Sequence, residues 1–195
     1  YNVTVISDEI HCDITAPGKS YVPFAAASKD CADISITCIA PTKCFNMAGL
    51  QTAAVMVPNK FLRHKVWRAL NTDEVAEPNA FAITAAVAAF TKGEPWLEEL
   101  RKYLWENRKT VCDFMAENLP QIHVVDADAT YLMWLDCSAL TDDSVACTQM
   151  IREKTGLYLS EGAEFGGNGR YFVRLNIACP VAVLMEGLER LKRAL

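Results

Sequence analysis

The apolar residues of this chain recur at two periods, and the switches between them mark out its elements. NVTVISDEI near the start and DISITCIA at 33–40 are short runs rich in β-branched residues and predict strands. The second has few polar positions and is expected to be buried on both faces. Between them, HCDITAPGKSYVPFAAASKD carries Pro, Gly and Ser signals and reads as a long connection with a helical turn near 24–28. LQTAAVMVPN predicts a third strand, ended by Pro58 and Asn59. Strands separated by crossover-length connections predict a mostly parallel sheet.

Helical spacing dominates next. KFLRHKVWRALN is amphipathic, and NAFAITAAVAAFTKG is so rich in alanine and other apolar residues that it is expected to be buried. From Glu94 to Leu119, Pro95 stands at a helix start and Leu97, Leu100, Leu104, Val111 and Met115 recur at three, four and seven. This predicts a helix of about 25 residues, roughly 35–40 Å long and able to bridge two domains. Beyond Pro120, IHVVDADATYLMWLD predicts two short strands with a turn at 126–129. SVACTQMIREKTG predicts a helix closed by Gly156, and RYFVRLNIAC another strand. A last helix sets Val181, Leu184, Leu188, Leu191 and Leu195 on one face. The chain thus divides into an α/β part at 1–95 and a smaller α+β unit at 96–195.

Composition narrows the function classes. Of 195 residues, 51% are apolar and 22% charged, a globular balance. The net charge of −5 argues against a nucleic-acid or anionic-membrane surface. No apolar run approaches the roughly 20 residues of a membrane span, and no basic-then-apolar leader opens the chain. The eight cysteines form no CxxC pair, and no histidine is spaced to complete a zinc site, so no metal is expected. Most lie in apolar stretches, as reduced thiols of a cytoplasmic protein do. Tyr1 stands where Met would, directly before a strand, which predicts a piece of a longer chain.

Three charged residues stand in unusual places. Asp8 and Lys43 both lie just past the C-terminal ends of apolar strands, the edge at which open α/β sheets bind ligands. Lys43 reads either as a surface lysine whose stem snorkels or as a partly desolvated amine kept for its chemistry. Arg174 interrupts the apolar strand YFVRLNIAC, and its permanent charge demands an anion. That anion is either an internal carboxylate or the carboxylate of a substrate.

SDEIHCD, APTKCFNMAGLQ and FVRLNIACP, in that order, resemble the C-terminal half of fold-type I pyridoxal-phosphate enzymes. Within that group they are most similar to the MalY/PatB type of cystathionine β-lyase, in the class I/II aminotransferase superfamily. GEPWLEELRKYL and TYLMWLD fall where that family has similar segments, so the resemblance covers essentially the whole chain. It implies the α/β aspartate aminotransferase fold: the C-terminal part of a cofactor-binding large domain, then a small C-terminal domain.

The resemblance also implies roles. Lys43 would bond the aldehyde of pyridoxal 5'-phosphate and later take the Cα proton of the substrate. Asp8 would pair with the pyridinium nitrogen, and Arg174 would hold the α-carboxylate of an amino-acid substrate. His11 stands where aminotransferases of this fold carry a tyrosine and the lyases a histidine; contact with the cofactor and support of Asp8 are both open for it. Thr42 is placed to donate its hydroxyl to the cofactor phosphate. The family pattern has a serine three residues before the lysine and an arginine eight after it, whereas this chain has Ala40 and Gln51. Tyr131 reads as core packing in the small domain rather than as a substrate contact. EGAEFGGNGR at 161–170 reads as a mobile loop that helps close the site.

The activity implied is carbon–sulfur β-lysis of L-cysteine conjugates in a cytoplasmic homodimer, with this chain a fragment lacking the N-terminal half. An aminotransferase using the same residues is the alternative. A non-catalytic fragment or interaction module is the reading from another class.

Overall fold

The computed structural model describes residues 3–195; Tyr1 and Asn2, the latter the start of the first expected strand, lie outside them. Residues up to Leu100 form one compact unit, and Arg101–Leu195 form a second. The boundary falls inside the long helix that the leucine spacing predicts.

In the first unit, β1 (Val5–Asp8) pairs in parallel with β2 (Ser35–Ile39), setting Asp8 opposite Cys38. A short helix, α1 (Lys29–Asp33), precedes β2, with the Ser28 hydroxyl accepting from Cys31 N at its start. The third strand, β3 (Ala54–Met56), runs antiparallel to β2, so only one of the two pairings has the expected parallel sense. The connection 40–53 contains a single 3-10 turn at Ala48–Leu50 and no helix long enough to carry the chain back along the sheet. α2 (Lys60–Thr72) starts at Asn59, whose Oδ1 accepts from Phe61 N and Leu62 N. α3 (Ala82–Lys92) follows.

Two expectations about burial fail here. The fully covered positions of β2 are the polar Ser35 and Thr37, while Ile36 and Cys38 are half-buried. In α3 only Ala82 is buried, and Phe81, Ile83 and Val87 are 74%, 62% and 57% exposed. Apolar composition predicts burial only where another element supplies a surface to pack on, and no described element covers this face.

The second unit has a continuous core. α4 (Glu94–Asn118) turns Val111, Phe114 and Met115 inward. They meet Met133 and Leu135 of β5 (Leu132–Asp136) and Val173 and Leu175 of β7 (Phe172–Asn176). β4 (His123–Val124) and β6 (Ser160–Glu161) complete an antiparallel sheet in the order β4-β5-β7-β6. α5 (Ser144–Thr155) is capped by Asp143, which accepts from Val145 N and Ala146 N, and ends at Gly156 with φ +72°. α6 (Val181–Ala194) buries Leu184, Leu188 and Leu191, but Val181 and Leu195 at its ends are 46% and 39% exposed. Tyr131 packs against this core, as its core reading requires.

Because side chains alternate along a strand, burying Met133, Leu135, Val173 and Leu175 sends Trp134 and Arg174 to the opposite face of the sheet. α4 is tied to the end of β7 by Asn107, buried, whose Nδ2 donates to Ile177 O at 2.9 Å and Cys179 O at 3.0 Å. Ile177 O also accepts from Cys179 N at 2.9 Å, so replacing Asn107 with leucine takes the side-chain donor from Cys179 O and is expected to cost about 2 kcal/mol. The midpoint of urea denaturation measures it.

Candidate active site

The parallel pairing of β1 and β2 places the groups past their C-terminal ends at one edge of the sheet. Asp8 ends β1, exposed, with its Oδ1 accepting from Ile10 N at 3.2 Å. Past β2 the chain enters a helical turn, closed by Phe45 N donating to Pro41 O and Met47 N donating to Thr42 O. Within that turn Cys44 is buried and its thiol donates to Ala40 O, while Lys43 is exposed. Of the two readings of Lys43, partial desolvation of its amine is therefore corrected. The turn sends neighbouring side chains in different directions, and the Phe45 ring packs on Phe90 and Trp96, with centroids 5.8 Å away in each case. Gly93 makes room for this ring: a Cβ there would lie 2.5 Å from Phe45 Cε1. Lys43 is thus an exposed amine on a turn anchored by the two residues after it.

His11 lies close enough to both charges to feel them. Its pKa is held below the ordinary 6.5, first by burial and then by the Lys43 ammonium, with the Asp8 carboxylate opposing. Since the unfolded chain binds this proton more readily, His11 contributes stability that is fully present above pH 6.5 and lost as the pH falls. His11→Gln is expected to lose less melting temperature than the parent chain between roughly pH 7 and 5. Thermal unfolding monitored by circular dichroism at the two pH values checks this. Burial, then the nearby Asp13, pushes the Cys44 thiol up to about 12, so it stays protonated and does not compete with the neighbouring amine. Thr42 Oγ1 is buried with no hydrogen-bond partner among the described residues, an uncompensated hydroxyl one residue from Lys43.

Arg174 belongs to the second unit. It lies half-buried on β7, opposite Trp134 on one side and Ser160 on the other. Its Nη2 donates to Ser160 Oγ at 3.1 Å, and the guanidinium carbon lies 4.5 Å over the Phe165 ring. Glu164 Oε1 is 3.9 Å away, a loose ion pair between partly exposed groups rather than a bidentate lock. The internal carboxylate therefore leaves most of the guanidinium's donors available.

The sequence profile of the aminotransferase class I and II family matches residues 1–191. The chain belongs to the aminotransferase class I and II family. It is similar to the cystathionine β-lyase PatB of Bacillus subtilis, with 43% identity over 195 residues, all of this chain and 50% of that protein. A solved structure of a putative aminotransferase from Clostridium difficile, bound to pyridoxal phosphate, superposes with a TM-score of 0.95 at 37% identity. It covers 99% of this chain and 50% of the other. Cystalysin from Treponema denticola, whose crystals contain pyridoxal 5'-phosphate, superposes at 0.93 with 31% identity over 98% of this chain and 48% of its own. The chain spans about half the length of the relatives it matches. The expected α/β fold of this family is the observed one.

In this class I/II chain, Asp8, His11, Thr42 and Lys43 come together at one sheet edge of the first unit, and Arg174 stands in the second. Glu9 escapes the sequence reading. It is buried, and its Oε1 accepts from Ser7 Oγ at 2.9 Å and Phe24 N at 3.0 Å, pinning the 10–24 connection to the end of β1. The hint was an acid beside Asp8 in SDEI, but only the long-range partner Phe24 shows which of the two faces inward. The stretch 161–170 is also corrected: it is not a loose loop but β6's end followed by 3-10 turns at Gly162–Phe165 and Gly169–Tyr171. Gly162 and Gly169 meet backbone to backbone, a contact no sequence period announces.

Proposed function

We propose that this chain carries the catalytic lysine of a pyridoxal-phosphate-dependent carbon–sulfur β-lyase that acts on L-cysteine conjugates. The observation that carries the reading is the placing of Lys43 and Asp8 at one edge of a parallel strand pair, with His11 in the field of both. The activity belongs to the protein at its relatives' length, of which the matched residues make up about half. Residues 1–95 are its share of the cofactor-binding domain and 96–195 its small domain.

The residues fit the cofactor by chemical type. Lys43 offers an exposed amine for its aldehyde, Asp8 a carboxylate for its ring nitrogen, and the unpartnered Thr42 hydroxyl a donor for its phosphate. Ala40 and Gln51 lack the charge and hydroxyl that would strengthen that phosphate site. When bound, pyridoxal phosphate supplies a sink for the electron pair left on the substrate Cα.

Lys43 takes the Cα proton, and Arg174 holds the α-carboxylate so that the Cα–H bond is presented correctly. His11, neutral near pH 7, occupies the edge beside Asp8 without adding charge. The Cβ–S bond breaks, the thiolate leaves and takes up a proton, and water completes conversion of the carbon skeleton to pyruvate and ammonium. A homodimer in the cytoplasm is part of the proposal, supported by the exposed apolar surface of Phe61, Trp67, Phe81 and Ile83 and by eight free thiols. No described helix is long and apolar enough to cross a membrane.

The alternative, transamination, is favoured by the C. difficile relative and uses the same residues. The test is 2-oxo acid formation from S-benzyl-L-cysteine and from L-cystathionine, each with and without an added 2-oxo acid acceptor. Pyruvate formed without acceptor, one equivalent per thiol, is the expected result. A strict requirement for acceptor overturns the lyase reading.

A further inference from the structure

The face of the second unit's sheet turned away from α4 and α6 is aromatic. Trp134 meets Phe165 edge-on, with centroids 5.3 Å apart, and Phe172 edge-on at 5.8 Å. Between them lies a cavity of about 240 Å³ lined by Val125, Trp134, Phe165, Asn168 and Phe172. That is smaller than the roughly 300–1,000 Å³ of sites that enclose a whole ligand. It suits one substituent of a ligand whose remainder lies outside. Phe165 forms a wall of the cavity and also lies under the Arg174 guanidinium, 4.5 Å from it. A carboxylate on Arg174 is therefore one ring away from an apolar pocket.

Resting on the reading of Arg174 as the α-carboxylate anchor, we infer that this pocket receives the group carried on the substrate sulfur and selects L-cysteine conjugates with an apolar, phenyl-sized substituent. The carboxylate replaces the loose Glu164 contact on the guanidinium, and the substituent lies against the Trp134 and Phe165 rings. The second ammonium and carboxylate of a cystathionine-like conjugate would be stripped of water there, in a lining whose side chains offer no charge.

The test compares dissociation constants of S-benzyl-L-cysteine and S-methyl-L-cysteine for this chain, by ligand-observed NMR without pyridoxal phosphate. The benzyl compound is expected to bind at least about tenfold tighter, as an added apolar group does in a matching pocket. Phe165→Ala, at a side chain that is half exposed and outside the helical core, is expected to erase the ratio between the two constants, while removing the ring from under Arg174 weakens both ligands alike through their shared carboxylate. Undetectable binding of S-benzyl-L-cysteine, equal constants for the two ligands, or a preference that survives Phe165→Ala overturns the inference. Covalent capture of pyridoxal phosphate at Lys43 is scored separately. With capture measured in the protein at its relatives' length, capture without benzyl preference sinks the pocket alone, and preference without capture sinks the assignment of Lys43 alone.

Discussion

Replacing Lys43 with alanine is expected to abolish covalent attachment of pyridoxal phosphate and to lower thiol release by at least about 10²- to 10⁴-fold. That range is what a single positioned proton-transfer group supplies, and the same amine also makes the bond to the cofactor. The fold should survive, because Lys43 is exposed and its turn is held by buried Cys44 and by Phe45 against Phe90 and Trp96. Lys43→Arg keeps the charge but never offers a neutral amine, so it should be as inactive as alanine. Attachment is read by borohydride reduction and peptide mass mapping, and thiol release by initial rates in the protein at its relatives' length. Cofactor retained on another residue in Lys43→Ala would remove Lys43 from this role.

Alanine at Gly169 is expected to destabilise the second unit by about 3 kcal/mol, the upper end for overpacking. An added Cβ falls on the Gly162 carbonyl oxygen and lies 2.7 Å from its carbon, so backbone rather than a side-chain tip must move. Gly162 has the matching constraint, since a Cβ there would meet Gly169 O, Phe172 O at 2.5 Å and Trp134 Cζ3 at 2.9 Å. The displaced segment carries Phe165, so the variant should also weaken carboxylate and aromatic binding at Arg174. Gly49→Ala is the control: its Cβ would meet nothing within 4 Å, and its stability should lie within about 0.5 kcal/mol of the parent chain. Urea denaturation followed by far-ultraviolet circular dichroism compares the two. Equal midpoints for Gly169→Ala and the parent chain would contradict the close backbone packing.

Local signals located the elements well. Asn59 and Asp143 cap helices because their side chains reach amides two and three residues ahead, and Gly156 ends α5 because φ +72° strains other residues. The run of leucines from 97 to 104, with Val111 and Met115, marked α4 to within a turn. Strand sense was less legible: nothing within LQTAAVMVPN distinguishes an antiparallel β3 from a parallel one. Burial in the first unit was misjudged for a related reason. Phe81, Ile83 and Val87 are apolar whether or not a partner element is present, so composition states the demand for cover without saying what meets it.

The sequence by itself determined which chemistry this chain can hold: an amine and an acid past two strand ends, an arginine within an apolar strand, and three motifs in a fixed order. These are properties of residue type and spacing, and they depend only on local conformation. Tertiary structure decided that β1 and β2 are parallel neighbours, so that Asp8, His11 and Lys43 share one edge. It decided that Lys43 faces out while Cys44 faces in, that Glu9 reaches Phe24, and that Gly162 meets Gly169 beneath the aromatic face beside Arg174. Each of these depends on contacts between residues distant in the chain, whose partners are chosen by packing, and no periodicity along one segment records that choice.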